Sequence, residues 1–359
     1  MMFNKKTVRD VEIKDQIVLV RTDYNVPMQD TKVADDLRIR ASLPTLDYLG
    51  EHGAQKIIIM SHLGRPEGKK VSELSLRPVA EQLQKLLPNR SVQFVAEISG
   101  PEVEMILEDL PDGGILVLEN LRFYPEEKDN SEDFMREIVD STHASIFVQD
   151  GFAVLHRQHA STDAITKILP SVAGLLVEKE VTTIKKAFDK PKHPLMMLIG
   201  GAKGEDKQHL IEKFTDIADQ IVVGGKIAAD GYESNAKNIY VAEDFDIDST
   251  GAKLDIGPMA TAKIVEFLES SKTVLWNGAL GKVEDPTYAT SSLIVARAIG
   301  EKSDLASVIC GGDTTAFVTQ VQKNNPELQY ALISTGGGVV LELLTGIKLP
   351  GLEALLSKS

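Results

Sequence analysis

The chain has 359 residues, a length that favours two domains, and its 43% hydrophobic and 26% charged residues are ordinary for soluble globular protein. Thirty-nine Lys and Arg stand against 53 Asp and Glu, and the resulting net charge of −14 argues against a nucleic acid or an anionic membrane as partner. A single cysteine, Cys310, excludes an internal disulfide and a thiolate metal cage; no apolar run nears the ~18 residues of a membrane span, and the opening MMFNKKTVRDVEIKDQ lacks a signal-peptide core, so a cytoplasmic location is expected.

Short β-rich apolar runs alternate with longer helical patterns along the whole chain, which predicts an α/β class with parallel sheets covered on both faces. Strands are expected at 17–23, 56–61, 92–96, 114–119 and 144–149, with helices at 37–49, 76–87 and 132–141 between them. A helical stretch at 177–188 leads through the Pro and Lys cluster DKPKHP into a second series, with strands at 194–199, 220–223, 238–241, 273–276, 306–309 and 329–333. Trp276 and Cys310, at or after apolar strands, read as core residues, and the acidic run PEEKDNSED reads as a solvated loop and helix cap. His52, His143, His193 and His209 show no metal spacing.

Ten of the eleven arginines precede residue 173, and five of them sit at or near first-half strand ends: Arg21 with Asp23 and Asn25 in RTDYNVP, Arg38 on the next helix, Arg65 with His62 in SHLGRP, Arg122 in LENLRF and Arg157 between His156 and His159 in HRQH. Guanidiniums bind phosphate and carboxylate through a planar fork, so that many on one sheet edge imply an anionic ligand, with the Asp-X-Asn pair serving hydroxyl groups. The second half carries glycine turns instead: GGAKGEDK with Lys203 and Lys207 four apart, CGGDTTAF with Asp313 and Thr314, and STGGG ending at Gly338. Such turns let phosphates meet backbone N–H groups at helix N-termini, although the spacing is not that of a Walker A loop. Together the halves suggest phosphoryl transfer between an arginine-held anion and a nucleotide.

In this order, RTDYNVP, SHLGRP, LENLRFYPEE, HRQHAST, GGAKGEDK, LDIGP, WNGALG, GGDT and STGGG resemble the phosphoglycerate kinase family from about residue 15 to Pro350. The resemblance implies two doubly wound, Rossmann-like parallel-sheet domains facing across a hinged cleft: a glycerate-binding domain at 1–172, on which the tail 346–359 packs, and a nucleotide-binding domain at 173–345. It implies a monomeric cytoplasmic enzyme of glycolysis and gluconeogenesis that moves a phosphoryl group between 1,3-bisphosphoglycerate and Mg-ADP, giving 3-phosphoglycerate and Mg-ATP. Carried over residue by residue, Asp23, Asn25, Arg38, His62, Leu63, Gly64, Arg65, Arg122 and Arg157 are expected at the glycerate site, with Arg21, His156 and His159 in the surrounding basic patch. Arg38 and Lys203, with Gly336, Gly337 and Gly338 at a helix N-terminus, are expected to serve the transferring group. Lys207, Asn277, Glu284, Gly311, Gly312, Asp313 and Thr314 are expected at the ATP or ADP, with Asp313 on Mg²⁺. The chain departs from the family pattern in a shortened stretch between Gly231 and Leu254, and in Lys226, Ala279 and Lys282, where the family carries glycine, proline and an apolar residue. A glycerate-binding sensor without catalysis, or a kinase for another nucleotide base, are the alternatives these departures leave.

Overall fold

The computed structural model describes residues 3–202 and 205–358. The chain divides into two compact units, one running to Val181 and taking up the segment from Lys348 onward, the other spanning Thr182–Ile347. The division falls inside the helix Leu175–Phe188, about ten residues beyond the boundary expected at 172.

The first unit is built on strands β1 (Ile17–Arg21), β4 (Lys56–Met60), β5 (Val92–Phe94), β6 (Gly114–Val117), β7 (Ile146–Gln149) and β8 (Ser171–Ala173), with a small hairpin of β2 (Met28–Gln29) and β3 (Lys32–Val33). The six strands form one parallel sheet in the order β5-β6-β4-β1-β7-β8. Burial on both faces explains why β4 reads KIIIM without alternation: Ile57 and Ile59 enter one core cluster, Ile58 and Met60 the other. The chain order reverses between β1 and β7, the switch point beside which open α/β sheets hold ligands.

The second unit repeats the design with β9 (Leu195–Ile199), β10 (Gln220–Val223), β11 (Ile239–Val241), β14 (Thr273–Asn277), β15 (Ala306–Cys310) and β16 (Leu332–Ile333), in the order β11-β10-β9-β14-β15-β16. Its switch point lies between β9 and β14. A two-stranded antiparallel hairpin, β12 (Phe245–Ile247) and β13 (Lys253–Ile256), lies between β11 and β14 in the chain.

Several expected strands end early for identifiable reasons. After Arg21 the Tyr24 amide turns to the Ser61 hydroxyl (2.8 Å) instead of a neighbouring strand. The expected strand 329–333 shrinks to two residues because the Gln329 amide bonds Gly300 O (2.8 Å) and the Ala331 amide bonds the Ser307 hydroxyl (3.0 Å). Strand β8 and both hairpins are too short to carry a periodic signal. Among the described residues, no helix is long and apolar enough to cross a membrane.

Candidate functional site

In the first unit all six strands of the main sheet are parallel, so the loops after β1, β4, β6 and β7 leave from one edge. There the structure gathers much of the expected anion site. Asp23, nearly buried, accepts from the Asn25 amide (3.1 Å), pairs with Arg38, and lies 3.8 Å from Nε2 of His62. Asn25 reaches across to accept the Gly64 amide at 2.8 Å, and Arg122 donates to the Gly64 carbonyl at 2.8 Å. Arg65 and Arg157 are exposed, and His156 and His159 half-buried.

Electrostatics follow from this crowding of positive charge in a partly buried place. Burial, then Arg21, Arg122, Arg38 and His159, hold the His62 imidazole well below its ordinary value of 6.5. Burial and neighbouring arginines push His156 and His159 down to about 4, and burial and Arg21 lower Arg122 to about 10. The histidines are therefore neutral near pH 7 and the guanidiniums carry the charge, an arrangement that an anionic ligand completes.

Three residues lie deeper than their place in the sequence suggests. Arg21 is fully buried and reaches no surface: its Nη2 contacts Nδ1 of His62 at 3.0 Å and its Nη1 lies 3.8 Å from Oε1 of Glu127. Leu63 turns its side chain into the core, so only its backbone faces the loop, where its carbonyl accepts from Asn120 at 2.7 Å. The run PEEKDNSED is not uniformly solvated, since Glu127 is fully buried and accepts both the amide (3.0 Å) and hydroxyl (2.6 Å) of Ser161. Asn120 joins the site without having been expected there. Its amide group spans the carbonyls of Leu63 and Leu74 (2.9 Å) and its oxygen caps the Arg122 amide (3.0 Å), tying the SHLG loop to the arginine; its place inside LENLRF is the only sequence signal.

In the second unit the glycine turns meet at the switch point. The Gly200 amide bonds Asn277 O (2.8 Å) and the Gly201 amide bonds Ala279 O (2.7 Å). Gly278 adopts φ +93°, and a Cβ there would collide with the Gly200 carbonyl, so the close approach of the two loops requires glycine. The helices Gly312–Asn324 and Gly337–Thr345 begin just beyond β15 and β16, with exposed Asp313 and buried Thr314 in the first turn of the former. Asn277 is buried and donates to the Cys310 sulfur at 3.2 Å, and Trp276 is fully buried with its indole N–H on Gly278 O (2.9 Å). Lys207 donates to the carbonyls of Gly200 (2.6 Å) and Ala202 (3.1 Å), so its ammonium sits on the glycine loop. Glu284 and Lys282 are exposed. Lys226 is exposed and pairs with Asp230 (2.9 Å) along its own short helix, while the preceding Gly225 keeps φ +57°. Lys203 lies outside the described residues. Among the described residues no three His, Cys, Asp or Glu side chains gather as a metal cage. A lone exposed carboxylate fits Mg²⁺ held chiefly by nucleotide phosphates, the usual mode for that ion.

The phosphoglycerate kinase family profile matches residues 8–240 and 230–347. The chain belongs to the phosphoglycerate kinase family. It is 38% identical to a phosphoglycerate kinase of Moorella thermoacetica over an alignment of 399 positions covering 99% of this chain and all of the relative. Two solved phosphoglycerate kinase structures share the fold. That from Pyrococcus horikoshii OT3 gives a TM-score of 0.85 at 27% identity, and that from Coxiella burnetii 0.75 at 28%, each covering 98% of both chains.

Proposed function

We propose that this chain catalyses reversible phosphoryl transfer between the acyl phosphate of 1,3-bisphosphoglycerate and ADP, the reaction after which its family is named. An ADP β-phosphate oxygen attacks the acyl phosphorus, the bond to the carboxyl oxygen breaks, and 3-phosphoglycerate leaves as a carboxylate. The acceptor is already ionised, so the protein need supply no base, only position and charge stabilisation.

The observation that carries this reading is the convergence of Asp23, Asn25, Arg38, His62 and Arg122 on one sheet edge in a chain of this family. In the first unit Asp23 and Asn25 serve the glycerate hydroxyl, Arg122 with the exposed Arg65 and Arg157 takes the 3-phosphate, and Arg38 leaves Asp23 to meet the charge on the transferring group. In the second, Lys207, Gly311, Gly312, Thr314 and Asn277 hold the nucleotide phosphates and Glu284 the ribose. The helix start at Gly336 to Gly338 receives the transferred group through its amides and dipole, with Lys203 beside it. Asp313 would hold Mg²⁺, which offsets phosphate charge when bound. Direct transfer from one ligand to the other requires that water be excluded from the transferring group.

The test is ADP-dependent ATP formation from enzymatically generated 1,3-bisphosphoglycerate with Mg²⁺, using Lys203→Ala as control and GDP as parallel acceptor. ATP formation lost in the variant supports the proposal. Turnover with GDP alone moves the reading to another base, and 3-phosphoglycerate binding without turnover makes the chain a sensor.

A further inference from the structure

His62 stands at the centre of the proposed glycerate site, and its role there rests on that reading for its effect on binding though not for its geometry. Nδ1 of His62 lies 3.0 Å from Nη2 of Arg21. A guanidinium has five donors and no acceptor, so the ring nitrogen must accept, and a neutral ring that accepts at Nδ1 carries its proton at Nε2. Arg21 is itself fully buried, and among the described residues neither its Nε nor its Nη1 has a hydrogen-bond partner. Its charge is met by the buried carboxylate of Glu127 at 3.8 Å, which in turn is anchored by the amide and hydroxyl of Ser161. A buried cation of this kind persists only with such a counter-charge.

We propose that Ser161, Glu127 and Arg21 form a buried positioning chain that locks His62 as the neutral Nε2–H tautomer, so that the ring meets the glycerate ligand as a hydrogen-bond donor rather than as a cation. The ring is faced by Arg21 from β1, Asp23 from the next loop along the chain, Arg38 from the helix Leu37–Glu51, Arg122 from the turn Leu121–Phe123, and His159 from the loop that carries Ser161. Only Asp23 among them is negative, and it is already engaged by Arg38. Burial and the positive surroundings therefore oppose ring protonation, consistent with an imidazole held well below its ordinary value. The 3.8 Å gap from Nε2 to Asp23 leaves that N–H available to a ligand oxygen.

The proposal is tested on the full chain, labelled with ¹⁵N-histidine and free of ligand, by imidazole nitrogen shifts between about pH 5 and 8. The expected spectrum has His62 unprotonated at Nδ1 and protonated at Nε2 throughout. Arg21→Lys, which keeps a charged donor, retains it. Arg21→Met, or the charge-balanced Arg21→Met/Glu127→Gln where the single variant does not fold, lets the ring titrate between about pH 5 and 7 and mixes its tautomers. In calorimetry at neutral pH these last variants bind 3-phosphoglycerate about tenfold more weakly, the loss following the same titration, and in turnover KM rises more than kcat falls. A proton on Nδ1 in the unmodified chain, protonation of its ring above about pH 6, or Met variants with an unchanged His62 spectrum would overturn the chain of positioning. Absence of 3-phosphoglycerate binding with the expected spectrum would refute the glycerate reading alone and leave the positioning chain in place.

Discussion

The Asp23 carboxylate divides its oxygens between the Asn25 amide and Arg38, and Arg38 remains about a quarter exposed. That exposure suits a guanidinium that can exchange a carboxylate partner for a phosphoryl oxygen. Arg38→Ala is expected to lower kcat by about two to three orders of magnitude, the scale of losing one charged donor in the transition state, with unchanged circular dichroism. Turnover within a few-fold of the unmodified chain would remove Arg38 from that role. The neighbouring histidines make a separate prediction. His156 and His159 take protons only near pH 4 in the folded chain, against 6.5 when unfolded, so the stability linked to them is present above about 6.5 and lost as pH falls toward 4. The urea midpoint should therefore fall from pH 7 to pH 5, and it should fall less in His156→Gln/His159→Gln.

Loop–helix junctions carry the next level of specification. Asp150, directly after β7, is fully buried; its Oδ1 accepts from the Thr45 hydroxyl (2.8 Å) and the Leu176 amide (3.1 Å), tying the start of the helix Leu175–Phe188 to the sheet edge. Burial pushes its carboxyl up to about 8, a raised folded value, so the stability it supports is full at low pH and drains as pH rises toward and through 8. Asp150→Asn can accept both bonds without titrating. Its urea midpoint relative to the unmodified chain should rise steadily between about pH 5 and 8, and a constant difference would show that Asp150 stays ionised. In the second unit the loops after β9 and β14 touch backbone to backbone. Gly278→Ala is expected to cost about 2 kcal/mol or more in chemical denaturation, because both its φ of +93° and the Gly200 carbonyl oppose a side chain.

Across the molecule, the segment from Lys348 completes the first unit although it is the last part of the chain. Leu349, Leu352 and Leu355 are buried, the Gly351 amide bonds Leu155 O (2.9 Å), and the Lys5 ammonium bonds the carbonyls of Glu353 (2.7 Å) and Leu355 (3.0 Å). Burying leucines contributes about 1.5–3 kcal/mol each, so a chain ending at Ile347 should lose on the order of several kcal/mol from the first unit. Calorimetry should then show one thermal transition moved sharply down and the other nearly unmoved. A uniform shift of both would mean that the two units unfold together.

Local chemistry determined much by itself. The apolar strand runs and the residues after them specified two parallel sheets and a polar edge on each, because β-branched runs buried on both faces have few other stable homes. Arginine, histidine and glycine motifs in fixed order were enough to place the chain in its family. What the sequence could not express is depth. Arg21 and Arg122 look alike as basic residues at or near strand ends, yet one is sealed beneath the edge and the other remains partly open. Glu127, set in a run of charges typical of a solvated loop, is fully buried because Arg21 and Ser161 converge on it from distant parts of the chain. Tertiary structure alone decides such cases, since whether a charge can be buried depends on the partner that the fold, not the neighbouring sequence, brings to it.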